Sequence, residues 1–201
     1  MKNMLFAFVF GLASYAQGQN GQETSDSLTL PYAAIPDAPK EYSAGTVASR
    51  VVDGLGFRYY WATEGLEQKD LQYKPNEEAR STEQTLDHIL QLTSVLRNAV
   101  EGKVNAGESP SMTFQEKRAA TLENIEVASA ILRMSSDDQM ADYKLVFARK
   151  DGGTTEFPFW NMLNGPLADA IWHVGQVVSF RRSSGNPFNS KVSVLNGRLR
   201  K

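Results

Sequence analysis

Apolar residues recur at three- and four-residue steps along four stretches of this chain, and that period confines it to packed helices. The first stretch runs from about Ser43 to Leu66, with Val47, Val51, Leu55, Tyr59, Ala62 and Leu66 on one stripe. Gly54 and Gly56 are poor helix formers inside it and are expected to mark a close helix-helix approach. The second runs from about Thr82 to Glu101: Ser81-Thr82-Glu83-Gln84 is a capping box, and Gly102 is a stop signal. The third, Phe114 to Met134, opens on the box Thr113-Phe114-Gln115-Glu116 and carries Leu122, Ile125, Ala128 and Leu132. The fourth lies between about Trp160 and Ser183, is started or kinked by Pro166, and ends at Gly185-Asn186-Pro187. Before it the period changes. Tyr143, Leu145 and Phe147 alternate, Asp151-Gly152-Gly153 is a turn signal, and Thr155, Phe157 and Phe159 follow, which reads as a β-hairpin. The expected fold is all-α: a four-helix bundle carrying a small β-hairpin before its last helix.

The segment ahead of the first helix has a different character. MKNMLFAFVFGLASYAQGQ joins a basic Lys2, a short apolar run from Met4 to Ala13, and small residues at Ser14 and Ala16. This predicts a signal peptide over 1–16 with cleavage near Ala16, and hence export to the periplasm or exterior. The run is too short to span a bilayer, so no stable membrane anchor is expected. Residues 17–42 are polar and then punctuated by Pro31, Pro36 and Pro39, an extended arm that Leu28, Leu30, Tyr32 and Ile35 can pin to the body. The bundle then occupies 43–190, and 191–201 form a basic tail.

Composition narrows the chemistry. With no cysteine, the chain excludes thiol nucleophiles, thiolate metal sites and disulfides. With 21 Lys+Arg against 23 Asp+Glu it lacks the electrostatic footprint of a nucleic-acid binder. It holds no Walker motif, nucleophile elbow or dinucleotide fingerprint. A ferritin-like di-iron site needs Glu-x-x-His, but Thr85 and Ala170 precede the histidines by three.

The two histidines remain. His88 shares the helix-two stripe of Leu92, Val95 and Ala99 and points toward a neighbouring helix, while Asp87 points to water. Asp169 and His173, four apart, share one face of the last helix, with Gln176 continuing it at the edge of the apolar surface. A buried carboxylate is costly unless paired or metal-bound. His88, Asp169 and His173 together form a two-histidine, one-carboxylate set suited to zinc with an open position or to non-haem iron, with nickel and manganese also compatible. The same residues also read as a helical ion pair and a satisfied core histidine. Gln176 is a candidate to orient the site; Asn161 and Asn164 are candidates for its mouth, where turn chemistry explains them equally well. Tyr60 and Trp61, with Tyr59, Trp160 and Trp172, are candidate pocket walls, against a plain reading as core. Arg181 and Arg182 are favoured structurally by a helix C-terminus.

The run Trp160-Asn161-Met162-Leu163-Asn164-Gly165-Pro166-Leu167-Ala168-Asp169-Ala170-Ile171-Trp172-His173-Val174-Gly175-Gln176, continuing through Arg181-Arg182 and Gly185-Asn186-Pro187, resembles the DinB-like superfamily. Arg80 to Leu92 is similar to that family's second helix, and Gly54 to Trp61 to its first. The resemblance covers roughly Tyr42 to Pro187. It implies a four-helix bundle in up-down-down-up order, often dimeric, with one divalent metal held by a histidine of helix two and an H-x3-H pair of the last helix. Carried over by position, His88 and His173 match two of those ligands. Asp169 stands where the family has the third histidine, a harder ligand that adds a negative charge and leaves the metal's identity open. Thiol transferases and a maleylpyruvate isomerase are among the family's characterised members. The expected function is a metal-dependent hydrolase or group-transfer enzyme acting on a small molecule. The alternative is a non-catalytic exported binding or assembly protein in which the three residues form a structural ion-pair cluster.

Overall fold

The computed structural model describes residues 29–107 and 111–201. The expected signal peptide, its cleavage near Ala16, and Leu28 lie outside the described residues. The rest is mostly helical with a few small strands.

The capping signals act where they stand. Helix α1 (Ala44–Thr63) starts at Ser43, whose side chain accepts the Thr46 N–H while Thr46 Oγ1 accepts from the Ser43 N–H. A short α2 (Gln68–Leu71) follows. Helix α3 (Thr82–Glu101) opens on the Ser81/Gln84 box and stops at Gly102, whose φ of 67° is the left-handed conformation that glycine takes without steric cost. Helix α4 (Phe114–Met134) opens on the Thr113/Glu116 box. A helix not anticipated, α5 (Asp137–Asp142), is capped by a further box, Ser136 with Gln139. The last segment is interrupted: α6 (Phe159–Met162) passes into a π-helical turn, Leu163–Leu167, and only then into α7 (Ala168–Ser183). Pro166 therefore kinks the segment. It lacks an N–H and crowds the preceding turn, and Gly165 absorbs the distortion with φ −96° and ψ −107°.

Helix α1 packs on α4 and α7, and α3 packs on the same two, so the four long helices close a ring of neighbours. Leu55, Leu86, Ile89, Leu122, Ile125 and Val174 fill its centre. Burial of each such side chain contributes about 1.5–3 kcal/mol. Strand β1 (Val104–Asn105) pairs parallel with β2 (Lys144–Ala148), and β2 pairs antiparallel with β3 (Thr154–Pro158) in the register Leu145 to Phe157. Asn98 and Asn105 tie this sheet to the end of α3. No helix among the described residues is long and apolar enough to cross a membrane.

The arm runs over α1 and is held by its side chains. Tyr32 is buried at φ 74°, Trp61 Nε1 donates to the Ala33 carbonyl at 3.1 Å, and Arg50 Nη1 donates to the Pro36 carbonyl at 2.7 Å. The C-terminal residues return to it through β4 (Val192–Ser193) and β5 (Arg198–Leu199), and the Ile35 N–H donates to the Gly197 carbonyl at 2.8 Å.

Gly54 and Gly56 do not mark a helix-helix contact. That approach is made by Gly45, where a Cβ would sit 2.4 Å from the Leu132 carbonyl oxygen and 2.7 Å from that of Ser135. At Gly56 a Cβ would strike the Tyr32 ring at 2.6 Å, so this glycine admits the arm. At Gly54 it would meet only the end of the Arg58 side chain. Alanine is therefore expected to destabilise by about 1–3 kcal/mol at Gly45 and Gly56, through overpacking. At Gly54 it is expected to be neutral or to stabilise by up to about 1 kcal/mol, through helix propensity. Urea unfolding of the three variants checks this ordering; equal effects would contradict it.

Candidate metal centre

Helices α3 and α7 face each other, and their seam holds the two histidines. Helical phase sends His88 toward α7 while its neighbour Asp87 turns the other way. Asp87 is half exposed rather than merely solvated: it pairs at 2.5 Å with the buried ammonium of Lys117 on α4. On α7, Asp169, His173 and Gln176 recur at i, i+4 and i+7, so one face carries all three.

His88 Nε2 lies 3.2 Å from Asp169 Oδ2, and His173 Nε2 lies 3.4 Å from Asp169 Oδ1. The ring centroids of the histidines are 4.7 Å apart at 84°. One ligand atom from each residue lies within 4.8 Å of the others. A tetrahedral ion with bonds of about 2.0–2.1 Å separates its ligand atoms by about 3.3 Å. The two His–Asp distances are close to that edge, each to a different oxygen of Asp169, and the donor set of nitrogen, nitrogen and oxygen is one that fits a divalent ion. His173 Nδ1, on the far side of its ring, lies 2.8 Å from Gln176 Oε1. The side chains are 25%, 34% and 12% exposed for His88, Asp169 and His173, so the cluster sits at the solvent edge of the seam, open on one side. Trp172, an exposed residue of α7, stacks beside His173 with centroids 6.1 Å apart and planes at 17°.

The structure thus joins His88, Asp169, His173 and Gln176, sets Trp172 beside them, and places Tyr60 and Trp61 elsewhere. Tyr60 lies under the Arg118 guanidinium, 4.7 Å from its carbon, and Trp61 holds the arm. Both sit at the end of α1 that meets Arg181, about 12 Å along α7 from His173 at 1.5 Å per residue. Asn161 and Asn164 are exposed on the segment leading into α7. Of the other aromatics, Tyr59 is core, but Trp160 and Trp172 are largely exposed, against their plain reading as core.

One feature escapes the periodicity. A groove of about 890 Å³ lies on the opposite flank of α7, between α1, α5 and α6, lined by Val47, Val51, Met140, Trp160, Leu163 and Ile171. Val47 and Val51 belong to the apolar stripe of α1, yet they are about half exposed. None of the three candidate ligands lines it. No protein-family model matches the chain, and neither does any curated protein or solved structure.

Proposed function

We propose that this chain is an exported DinB-like protein, a four-helix bundle with a β-hairpin before its last helix, that holds one divalent metal ion through His88, Asp169 and His173. The observation that supports it is the convergence of a histidine from α3 on an Asp–His pair of α7, 81 residues away, with one ligand atom of each residue within 4.8 Å of the others. The reading extends to a metal-dependent hydrolase or group-transfer enzyme with a small-molecule substrate, and to a homodimer. A bound divalent ion would supply Lewis acidity toward a carbonyl or phosphoryl oxygen. The chain's own residues do the rest. The two imidazoles and the carboxylate would hold the ion, and their partial exposure would let a substrate reach it. Trp172 offers an exposed indole face next to His173. Asp169 makes the set a two-histidine, one-carboxylate triad, compatible with zinc, iron, nickel or manganese.

A second reading rests on the same distances. At 3.2 and 3.4 Å the carboxylate also serves as the acceptor of an ion-pair cluster that knits α3 to α7 in a non-catalytic binding or assembly protein. Elemental mass spectrometry separates the two. The protein starting at Gln17, purified without a histidine tag, is expected to carry or acquire about one metal per chain. His88→Ala is expected to lose it while remaining folded. A wild type that stays metal-free after incubation with zinc, nickel, manganese and anaerobic ferrous iron excludes the metal reading.

A further inference from the structure

We infer that Gln176 is a positioning residue that holds His173 in the tautomer bearing its proton on Nδ1, leaving the Nε2 lone pair aimed into the cluster. That Nδ1 carries a proton stands on geometry; that Nε2 is left bare rests on the metal reading above, because without an ion the Asp169 carboxylate 3.4 Å away favours a proton on Nε2 as well. An imidazole with one proton can place it on either nitrogen, and only Nε2 of His173 faces His88 and Asp169. Nδ1 faces Gln176 Oε1 at 2.8 Å. A carbonyl oxygen only accepts, so this contact requires Nδ1 to donate. Turned the other way, the amide would present its NH2 group, draw the lone pair to Nδ1, and move the proton to Nε2, where it would block that nitrogen as a ligand. The two side chains are three residues apart on one helix, so the backbone fixes their spacing without help from another element. His173 is the least exposed member of the cluster, and the protein rather than bulk water sets its tautomer.

The choice of an amide has a chemical consequence. A carboxylate at this position would orient the ring equally well, but it would add a second negative charge beside the ion and weaken it as an electrophile. With neutral imidazoles and one carboxylate, a divalent ion keeps a net charge of +1, and glutamine preserves it. The site is therefore tuned to polarise a neutral or anionic substrate oxygen rather than for the tightest ion capture.

The test uses Gln176→Leu and Gln176→Glu in the protein starting at Gln17. Long-range proton–nitrogen NMR of the metal-free protein reads the tautomer directly, and the two rings are assigned by comparison with His88→Ala. Wild type is expected to show a proton on His173 Nδ1, whether or not Asp169 also holds one on Nε2, and Gln176→Leu to lose the Nδ1 proton and keep the one facing Asp169. Zinc affinity, measured by competition with a chromophoric chelator, is expected to fall about 10–100-fold in Gln176→Leu and to recover in Gln176→Glu. A Gln176→Leu protein with the wild-type tautomer and zinc affinity overturns the inference. A wild type that shows the Nδ1 proton but takes no zinc overturns the metal reading and upholds the Nδ1 assignment.

Discussion

Arg181→Met is expected to cost about 3–5 kcal/mol of folding stability, because it empties a buried cationic clamp between the ends of two helices. Arg181 is 4% exposed, although it belongs to the last turn of α7. Its Nη1 donates to the carbonyls of Trp61, Ala62 and Glu64 at 3.0–3.1 Å, and its Nε and Nη2 donate to the carbonyl and Oδ1 of Asn186. The α1 carbonyls have no partner within their own helix and form the negative end of its dipole. A fixed guanidinium answers both needs. Burial lowers the Arg181 pKa from its ordinary value, opposed by Asp70 and Glu64, yet arginine remains charged throughout the accessible range. Methionine would fill the space and leave the carbonyls dry. Arg181→Lys is expected to recover part of the loss, since an ammonium lacks the fork that serves α1 and Asn186 together. Urea unfolding provides the measurement, and a loss under about 1 kcal/mol for Arg181→Met would refute the clamp.

Its acidic neighbour sets a pH signature. Asp70 is fully buried and accepts from Asn186 Nδ2 at 2.6 Å, Ser184 Oγ at 2.5 Å and the Glu67 N–H at 2.8 Å. Burial alone would raise its pKa; the bonds from Asn186, Ser184 and Glu67, with Lys69 nearby, outweigh this and hold it below the usual carboxylate value. A carboxyl with a depressed folded pKa adds stability above its unfolded pKa, about 3.9, and loses it as pH falls through the folded value. The stability gap between wild type and Asp70→Asn is therefore expected to be flat from neutral pH to about 5 and to shrink below about 4.

What could be read in advance was what acts within a few residues. Ser81 with Gln84 and Thr113 with Glu116 are i, i+3 devices, so they place two helix starts without reference to the fold. Ser136 with Gln139 is equally local, but no long apolar stripe follows it to mark a helix. His88, Asp169 and His173 were legible because helical phase fixes a side chain's face and the resemblance paired the two helices. Roles that depend on a distant partner were not legible. Nothing in Gly56 announces the ring of Tyr32, and Gly45 gives no sign of the Leu132 carbonyl. Arg181 reads as a cation at the end of its own helix, but the carbonyls it serves belong to α1. Val47 and Val51 fall on an apolar stripe, yet they line an open groove rather than the core.

Asp53→Ala is expected to lose about 3–5 kcal/mol and to release the arm, because one buried carboxylate joins three segments. Asp53 is 1% exposed in the middle of α1, where an apolar residue would be ordinary. It accepts from Ser129 Oγ at 2.5 Å and Tyr32 Oη at 3.1 Å and pairs with Arg133, which also donates to the Asp37 carbonyl of the arm. Burial and then the charge of Asp53 push the Tyr32 phenol above its usual range, so it stays a donor. Alanine would strand two hydroxyls and a guanidinium that is largely covered. Asp53→Asn keeps an acceptor for the hydroxyls but turns an NH2 group toward Arg133, so an intermediate loss is expected. Trp61, bonded to the Ala33 carbonyl, reports on the arm by its fluorescence, and limited proteolysis between Pro31 and Lys40 reports on it independently. Asp53→Ala that stays within about 1 kcal/mol of wild type with a protected arm would show that the carboxylate is not the latch. The double variant with Gly56→Ala sharpens the point. Both changes act through Tyr32, one by removing its acceptor and the other by displacing its ring. Together they are expected to cost less than the sum of the singles, by about 0.5–3 kcal/mol. Full additivity would mean that the arm is held at separate points rather than through one residue.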